Sequence, residues 1–145
     1  MKFRRALIVL GTLLFTGYAV AQTDEEPRYK LDKAQSRVVE VTNLYPTTDC
    51  SPGGSITGRV VKRVFDDEQG TLVRGFTIEH SDGSRSYINI DEEPVRKASA
   101  VTAGWVIPAL QTLLKEGQRV SVGVKLCGAA GRVVMADSIR PQHGR

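Results

Sequence analysis

Two clusters of carboxylates have the clearest chemical potential in this sequence. They occupy residues 66–68 (DDE) and residues 91–93 (DEE), and each follows a stretch with the pattern of a β-strand. Carboxylates grouped at one end of a small sheet could hold a hard cation such as calcium. The sequence has no EF-hand spacing, and acidic turns also prevent strand edges from aggregating. We therefore expect solvated turns here and no metal site.

Histidine chemistry is limited to His80 and His143. His143 lies in a polar C-terminal tail, and His80 ends a predicted strand beside a turn. Its neighbours Ser81 and Asp82 have the residue types of a hydrolase triad. Adjacent residues of an extended chain point in different directions, so this order does not form a triad. The residue types alone therefore predict no catalytic set.

The first 21 residues have the three parts of a secretory signal peptide. Lys2, Arg4 and Arg5 form a cationic start, residues 6–18 are uncharged and apolar, and residues 19–21 (AVA) form a small-residue cleavage site. The uncharged stretch is shorter than the roughly 20 residues that a membrane span requires. We expect cleavage after residue 21 and a periplasmic or secreted protein without a membrane span. An uncleaved N-terminal anchor is the alternative.

Removal of the signal peptide changes the charge of the protein. The chain has 20 Lys and Arg residues and 16 Asp and Glu residues. Three of the basic residues lie in the signal peptide, so 17 remain and the mature chain is nearly neutral. Residues 98–145 are mildly cationic, with 6 basic and 2 acidic residues. A nearly neutral protein lacks the strong field of a general nucleic-acid binder, so we do not expect nucleic acid as a partner.

Cys50 and Cys127 are the two cysteines of the chain. They do not form a Cys-x-x-Cys motif, and two cysteines in an oxidising compartment typically form one bridge. We predict a structural disulfide between them. Such a bridge closes a long loop, and the chain-entropy model assigns it roughly 4 kcal/mol of stabilisation.

Turn signals and hydrophobic patterns divide the rest of the chain into three parts. Residues 22–54 are predicted to be a flexible lead, with a candidate strand at 37–44 and a Pro/Gly loop from residue 45 to 55. Residues 55–140 are predicted to be one β-rich domain, and residues 141–145 a disordered tail. Within the domain we predict strands at 56–65, 71–80, 84–91, 118–127 and 132–139, and a helix within 102–116 that is regular from Pro108 onward.

The link between the second and third of these strands determines which side chains face inward. A two-residue turn would place Phe76 and Ile88 on opposite faces, which a one-sided core does not allow. A three-residue loop at residues 81–83, with Gly83 in the left-handed conformation, places both on the inner face. The outer face of this hairpin then carries Thr77, Glu79, Arg85, Tyr87 and Asn89. In this register Thr77 lies opposite Tyr87, and Glu79 lies opposite Arg85.

Three strands, a helix and two strands is the element order of an OB-fold. We therefore predict a mainly β fold, namely a small five-stranded OB-like barrel (β-β-β-α-β-β) with one helix, as a monomer. An SH3-like barrel is the alternative with a similar strand content.

Residues 55–140 resemble the staphylococcal-nuclease branch of the OB-fold. The segment ITGRVVKRVFDDEQGTL is similar to the first hairpin of that family, YINIDEEP to its third strand, and GQRVSVGVKLCGAAGRVVMAD to its last two strands. The resemblance implies calcium-dependent phosphodiester cleavage, with acids at Asp66 or Asp67, Asp91 and Glu93, and an arginine at Arg132. The second arginine of the family corresponds to Ser86 here, so the set of charged groups is incomplete.

These observations favour an exported, non-enzymatic OB-like binding module without a cofactor. Its ligand would be an envelope protein, a glycan or another envelope component, held on the outer hairpin face or by the cationic C-terminal strands. A calcium-dependent nuclease is one alternative. An inhibitor of a cell-wall lytic enzyme is another, because such inhibitors include small secreted β-domains.

Overall fold

Seven strands in one sheet form the largest part of the structure. The computed structural model describes residues 25–143, so the predicted signal peptide lies outside the described residues. The strands are β1 (Arg28–Asp32), β2 (Arg37–Thr42), β3 (Ser51–Phe65), β4 (Val73–Glu79), β5 (Arg85–Asn89), β6 (Arg119–Cys127) and β7 (Val133–Pro141). The helices are α1 (Glu93–Lys97) and α2 (Ala100–Leu113), and a short 3₁₀ turn spans Ala129–Gly131. In the described part of the chain, neither helix is long and apolar enough to cross a membrane.

Five of the strands are connected in a closed ring. The strand order is β1-β2-β7-β5-β4-β3-β6, and β6 also pairs with β7, which closes the ring from β3 to β7. The pairing of β5 with β7 is parallel, whereas the other pairings are antiparallel. Strands β1 and β2 extend the sheet from β7 at the pair Val41 and Ile139.

The predicted β4–β5 hairpin is confirmed. Phe76 lies opposite Ile88, and both side chains are fully buried. The loop at residues 81–83 is closed by a hydrogen bond from the His80 amide to the Ser84 carbonyl, and Gly83 has a φ of 83°. Few residues other than glycine adopt that conformation without strain. The buried faces of β4 and β5 join one hydrophobic cluster with β6 and with Val106 and Leu110 of α2.

The structure differs from the predicted flexible lead at residues 28–32, which form β1. This strand is polar, so its sequence carries little strand signal. It is held by residues that lie later in the chain. The ring of Tyr29 stacks on that of Trp105, with centroids 6.1 Å apart. The segment predicted as a Pro/Gly loop is also partly a strand, because β3 begins at Ser51. Gly53 and Gly54 lie within β3, where its pairing with β6 is irregular.

The helical region also differs from the expectation of one helix regular from Pro108. Two helices are present, and α2 begins at Ala100, where Ser99 Oγ accepts a hydrogen bond from the Thr102 amide. Pro108 lies inside α2, although proline removes one helical hydrogen bond. The buried stripe of Thr102, Val106, Ala109, Leu110 and Leu113 continues across the proline, so tertiary packing holds the helix together. The predicted tail differs too, since Pro141 belongs to β7.

Candidate ligand-binding face

Glu79 lies between two arginines on the outer face of the sheet. Arg59 Nη2 is 2.9 Å from Glu79 Oε1, and Arg85 Nη2 is 3.1 Å from Glu79 Oε2. Hydrogen bonds from Arg59 and then from Arg85 lower the pKa of the Glu79 carboxyl below its ordinary value. The predicted pairing of Glu79 with Arg85 is therefore present, and Arg59 on β3 is a partner that the hairpin alone could not reveal.

Tyr87 provides an aromatic surface on the same face. Its ring lies over Gly75 on β4, where any side chain would overlap the phenol. Because Gly75 has no β-carbon, the hydroxyl end of the Tyr87 ring can lie close to β4. Tyr87 is still 46% exposed. A flat, half-exposed aromatic ring on a sheet can stack on a planar or apolar face of a ligand.

The other two predicted face residues have different surroundings. Thr77 lies opposite Tyr87 and also opposite Lys62 of β3, which adds an exposed cation that the sequence prediction did not include. The side-chain Nδ2 of Asn89 donates a hydrogen bond of 3.1 Å to the Val134 backbone carbonyl. Asn89 therefore ties β5 to β7, and the exposed polar groups of the face come from Arg59, Lys62, Arg85 and Tyr87.

The first predicted acidic cluster stabilises the β3–β4 turn. Asp66 has only 6% of its side chain exposed, and it forms an ion pair with Arg96 of α1. It also accepts a hydrogen bond of 3.3 Å from the Leu72 amide. Asp67 accepts one of 3.0 Å from the Thr71 amide. Both carboxylates are thus occupied by groups of the protein itself.

The second cluster stabilises the start of α1. Asp91 accepts a hydrogen bond of 3.0 Å from the Glu93 amide, and Glu93 forms an ion pair with Lys97 at 2.5 Å. A hydrogen bond from Lys97 lowers the pKa of Glu93. Arg132 is exposed at the end of the 3₁₀ turn. Within residues 25–143, no three His, Cys, Asp or Glu side chains are grouped as ligands for a metal ion.

No family model, curated protein or solved structure matches this chain. Its function must therefore be argued from the arrangement of its own residues.

The disulfide between Cys50 and Cys127 is present, as predicted. It lies beside the pair of Ser51 and Leu126, where β3 and β6 meet. Lys125 Nζ holds the preceding loop, because it donates hydrogen bonds of 2.6 Å to the Tyr45 carbonyl and 3.0 Å to the Thr47 carbonyl. The loop and the bridge together pin one end of the closed ring of strands.

His80 and Trp105 do not contribute to the outer hairpin face. His80 Nε2 forms a hydrogen bond of 2.7 Å with Ser86 Oγ, and both groups are partly buried. Trp105 is 38% exposed on α2 and stacks on Tyr29. Neither residue lies on the strand faces that carry Tyr87 and Arg85.

Proposed function

We propose that this protein is an exported, non-enzymatic, OB-like module that binds a glycan of the cell envelope on the outer face of β4 and β5. The observation behind this proposal is the Tyr87 ring, which is half exposed on the sheet and lies near the Arg59, Glu79 and Arg85 cluster. An aromatic ring that stacks on a sugar and polar groups that orient it are the two parts that a saccharide site needs.

The order of the strand ring supports the OB-like part of the proposal. In that ring β3, β4 and β5 are consecutive, α2 precedes the fourth strand, and β5 runs parallel to β7. An OB-fold is a small Greek-key barrel whose second and third strands bind oligosaccharides or oligonucleotides. The second and third strands of this ring are β4 and β5, which carry the proposed face.

The compartment favours a glycan over nucleic acid. The N-terminal sequence has the pattern of a signal peptide, and the Cys50–Cys127 bridge is stable outside the cytoplasm. After loss of the signal peptide the chain is nearly neutral, which disfavours nonspecific attraction to a phosphate backbone.

The surroundings of the acidic residues disfavour the nuclease alternative. Asp66 is paired with Arg96, Glu93 is paired with Lys97, and Ser86 occupies the position of the missing arginine. A plasmid-degradation assay with calcium, repeated with Asp91→Ala and Arg132→Ala, separates the two functions. Cleavage that either substitution abolishes would contradict the non-enzymatic proposal.

The binding proposal is tested by sedimentation with purified peptidoglycan sacculi. We expect the protein to sediment with the sacculi, and Tyr87→Leu to reduce the bound fraction by an amount that corresponds to a roughly tenfold weaker affinity. Arg74→Gln is a matched surface control, because Arg74 is an exposed arginine of β4 that forms no ion pair with Glu79. Equal retention of the wild type and Tyr87→Leu would exclude this face as the binding surface.

A further inference from the structure

Arg119 on β6 lies directly opposite Arg59 on β3. Both residues are exposed, and directly opposed residues of antiparallel strands share a face with their β-carbons about 5 Å apart. Within residues 25–143, no acidic side chain forms an ion pair with Arg119. Like charges in this position destabilise a sheet, so the pair is a local conflict that folding alone does not favour.

The arginine pair extends the charged cluster described above across four strands. Arg119 pairs with Arg59, Arg59 with Glu79, and Glu79 with Arg85, in the order β6, β3, β4 and β5. The row contains three guanidinium groups and one carboxylate. Both oxygens of that carboxylate are already used, one by Arg59 and the other by Arg85. The excess positive charge therefore lies at the Arg59 and Arg119 end.

Hydroxyl groups and a further arginine lie next to this end of the row. Thr57 and Ser121 are opposite each other two residues along from Arg59 and Arg119, and Arg140 of β7 lies opposite Ser121. These three residues line an open cleft of about 480 Å³, together with Lys30 and Glu40 of the β1–β2 extension. Apart from Glu40, the ionisable side chains that line this cleft are basic, namely Lys30, Arg140 and His143.

Paired arginines and nearby hydroxyl groups are complementary to an oxyanion. A guanidinium group presents parallel N–H donors that match a carboxylate or a phosphate, and charge-assisted hydrogen bonds of this kind are stronger than neutral ones. An oxyanion between Arg59 and Arg119 would also remove the repulsion between them.

We infer that the ligand is an acidic saccharide, whose sugar ring stacks on Tyr87 and whose carboxylate or phosphate lies between Arg59 and Arg119. This inference rests on the proposed glycan-binding function and adds the charge of the ligand and the position of its anionic group. The row from β5 to β6 crosses three strand spacings, or about 14 Å, so the ligand is longer than one sugar.

The test measures the affinity of the purified protein for hexagalacturonate and for its uncharged methyl ester by isothermal titration calorimetry. We expect Arg119→Gln to weaken hexagalacturonate binding about tenfold and to leave the methyl ester unaffected. Arg74→Gln makes the same change of charge on β4 and should alter neither affinity. Inorganic phosphate is added as a competitor of hexagalacturonate, and competition that is lost in Arg119→Gln would show that both oxyanions occupy the arginine pair.

The outcomes separate this inference from the proposed function. If Tyr87→Leu reduces sedimentation with sacculi and Arg119→Gln changes neither hexagalacturonate affinity nor phosphate competition, the glycan-binding face stands and the acidic ligand is excluded. The same conclusion follows if neither anion binds to a protein that still sediments with sacculi. If Arg119→Gln weakens the binding of the methyl ester as much as that of the acid, its effect is not electrostatic and the inference is wrong.

Discussion

The phenol ring of Tyr87 lies over Gly75 on the neighbouring strand, in the space that a side chain would occupy. This relationship keeps the ring close to the sheet, although Tyr87 is nearly half exposed. A residue with a side chain at position 75 would push the ring away from the sheet. The glycine therefore determines the shape of the proposed binding face as much as the tyrosine does.

We expect Gly75→Ala to lower the free energy of unfolding by about 1–3 kcal/mol, because the new methyl group overlaps the Tyr87 ring. Urea denaturation measures the change. In the double variant Gly75→Ala with Tyr87→Ala the overlap is absent, so the loss should be smaller than the sum of the two single losses. Gly104→Ala is the control, because a β-carbon at Gly104 has open space and alanine favours a helix. Additive losses in the double variant would contradict this account of Tyr87.

Glu79 should make the stability of the protein depend on pH. Its pKa in the folded state is lowered below the ordinary value of 4.5 by Arg59 and Arg85. The contribution of Glu79 is therefore present above about pH 4.5 and is lost as the pH falls through the folded-state pKa. We expect Glu79→Gln to be less stable than the wild type at pH 7, and the difference to shrink at pH 3. Salt should also reduce the difference, because the cluster is exposed. A difference that is equal at both pH values would show that the ionised form of Glu79 contributes nothing.

Removal of the Cys50–Cys127 bridge should destabilise the fold strongly. The bridge spans 77 residues, for which the chain-entropy model gives roughly 4 kcal/mol. Thermal unfolding of the double variant Cys50→Ser with Cys127→Ser should show a much lower midpoint than the wild type. Addition of dithiothreitol should lower the wild-type midpoint and leave that of the double variant unchanged. An unchanged wild-type midpoint under full reduction, verified by intact mass after alkylation, would disprove a stabilising role.

Arg119→Gln should raise the free energy of unfolding in the absence of ligand, by about 0.3 kcal/mol, because it removes the repulsion of Arg59. Arg74→Gln is the matched control and should have no such effect. The gain should disappear at high salt, where exposed charges are screened. A loss of stability in Arg119→Gln at low salt would mean that Arg119 has a structural role in the free protein.

Several features could be predicted because they depend on neighbouring residues or on composition. The β4–β5 register follows from a loop of three residues and from the alternation of Phe76 and Ile78 with polar neighbours, and the structure has that register. The disulfide follows from the presence of just two cysteines and a predicted oxidising compartment. The register depends on residues that are adjacent in sequence, and two cysteines can form only one intramolecular bridge.

Other features required the tertiary structure because their causes are distant in the chain. β1 is a polar segment that is held by β2 and by the stacking of Tyr29 on Trp105, and no pattern within it indicates either contact. α2 continues through Pro108 because a buried stripe on both sides of the proline outweighs the lost hydrogen bond.

The candidate site divides in the same way. The sequence by itself determined that Glu79, Arg85 and Tyr87 share one face, because strand alternation and a short turn decide the facing of adjacent strands. Only the tertiary structure decided that Arg59 and then Arg119 continue this face across β3 and β6. Those strands are far apart in sequence, and their pairing depends on how the whole sheet closes rather than on any local pattern.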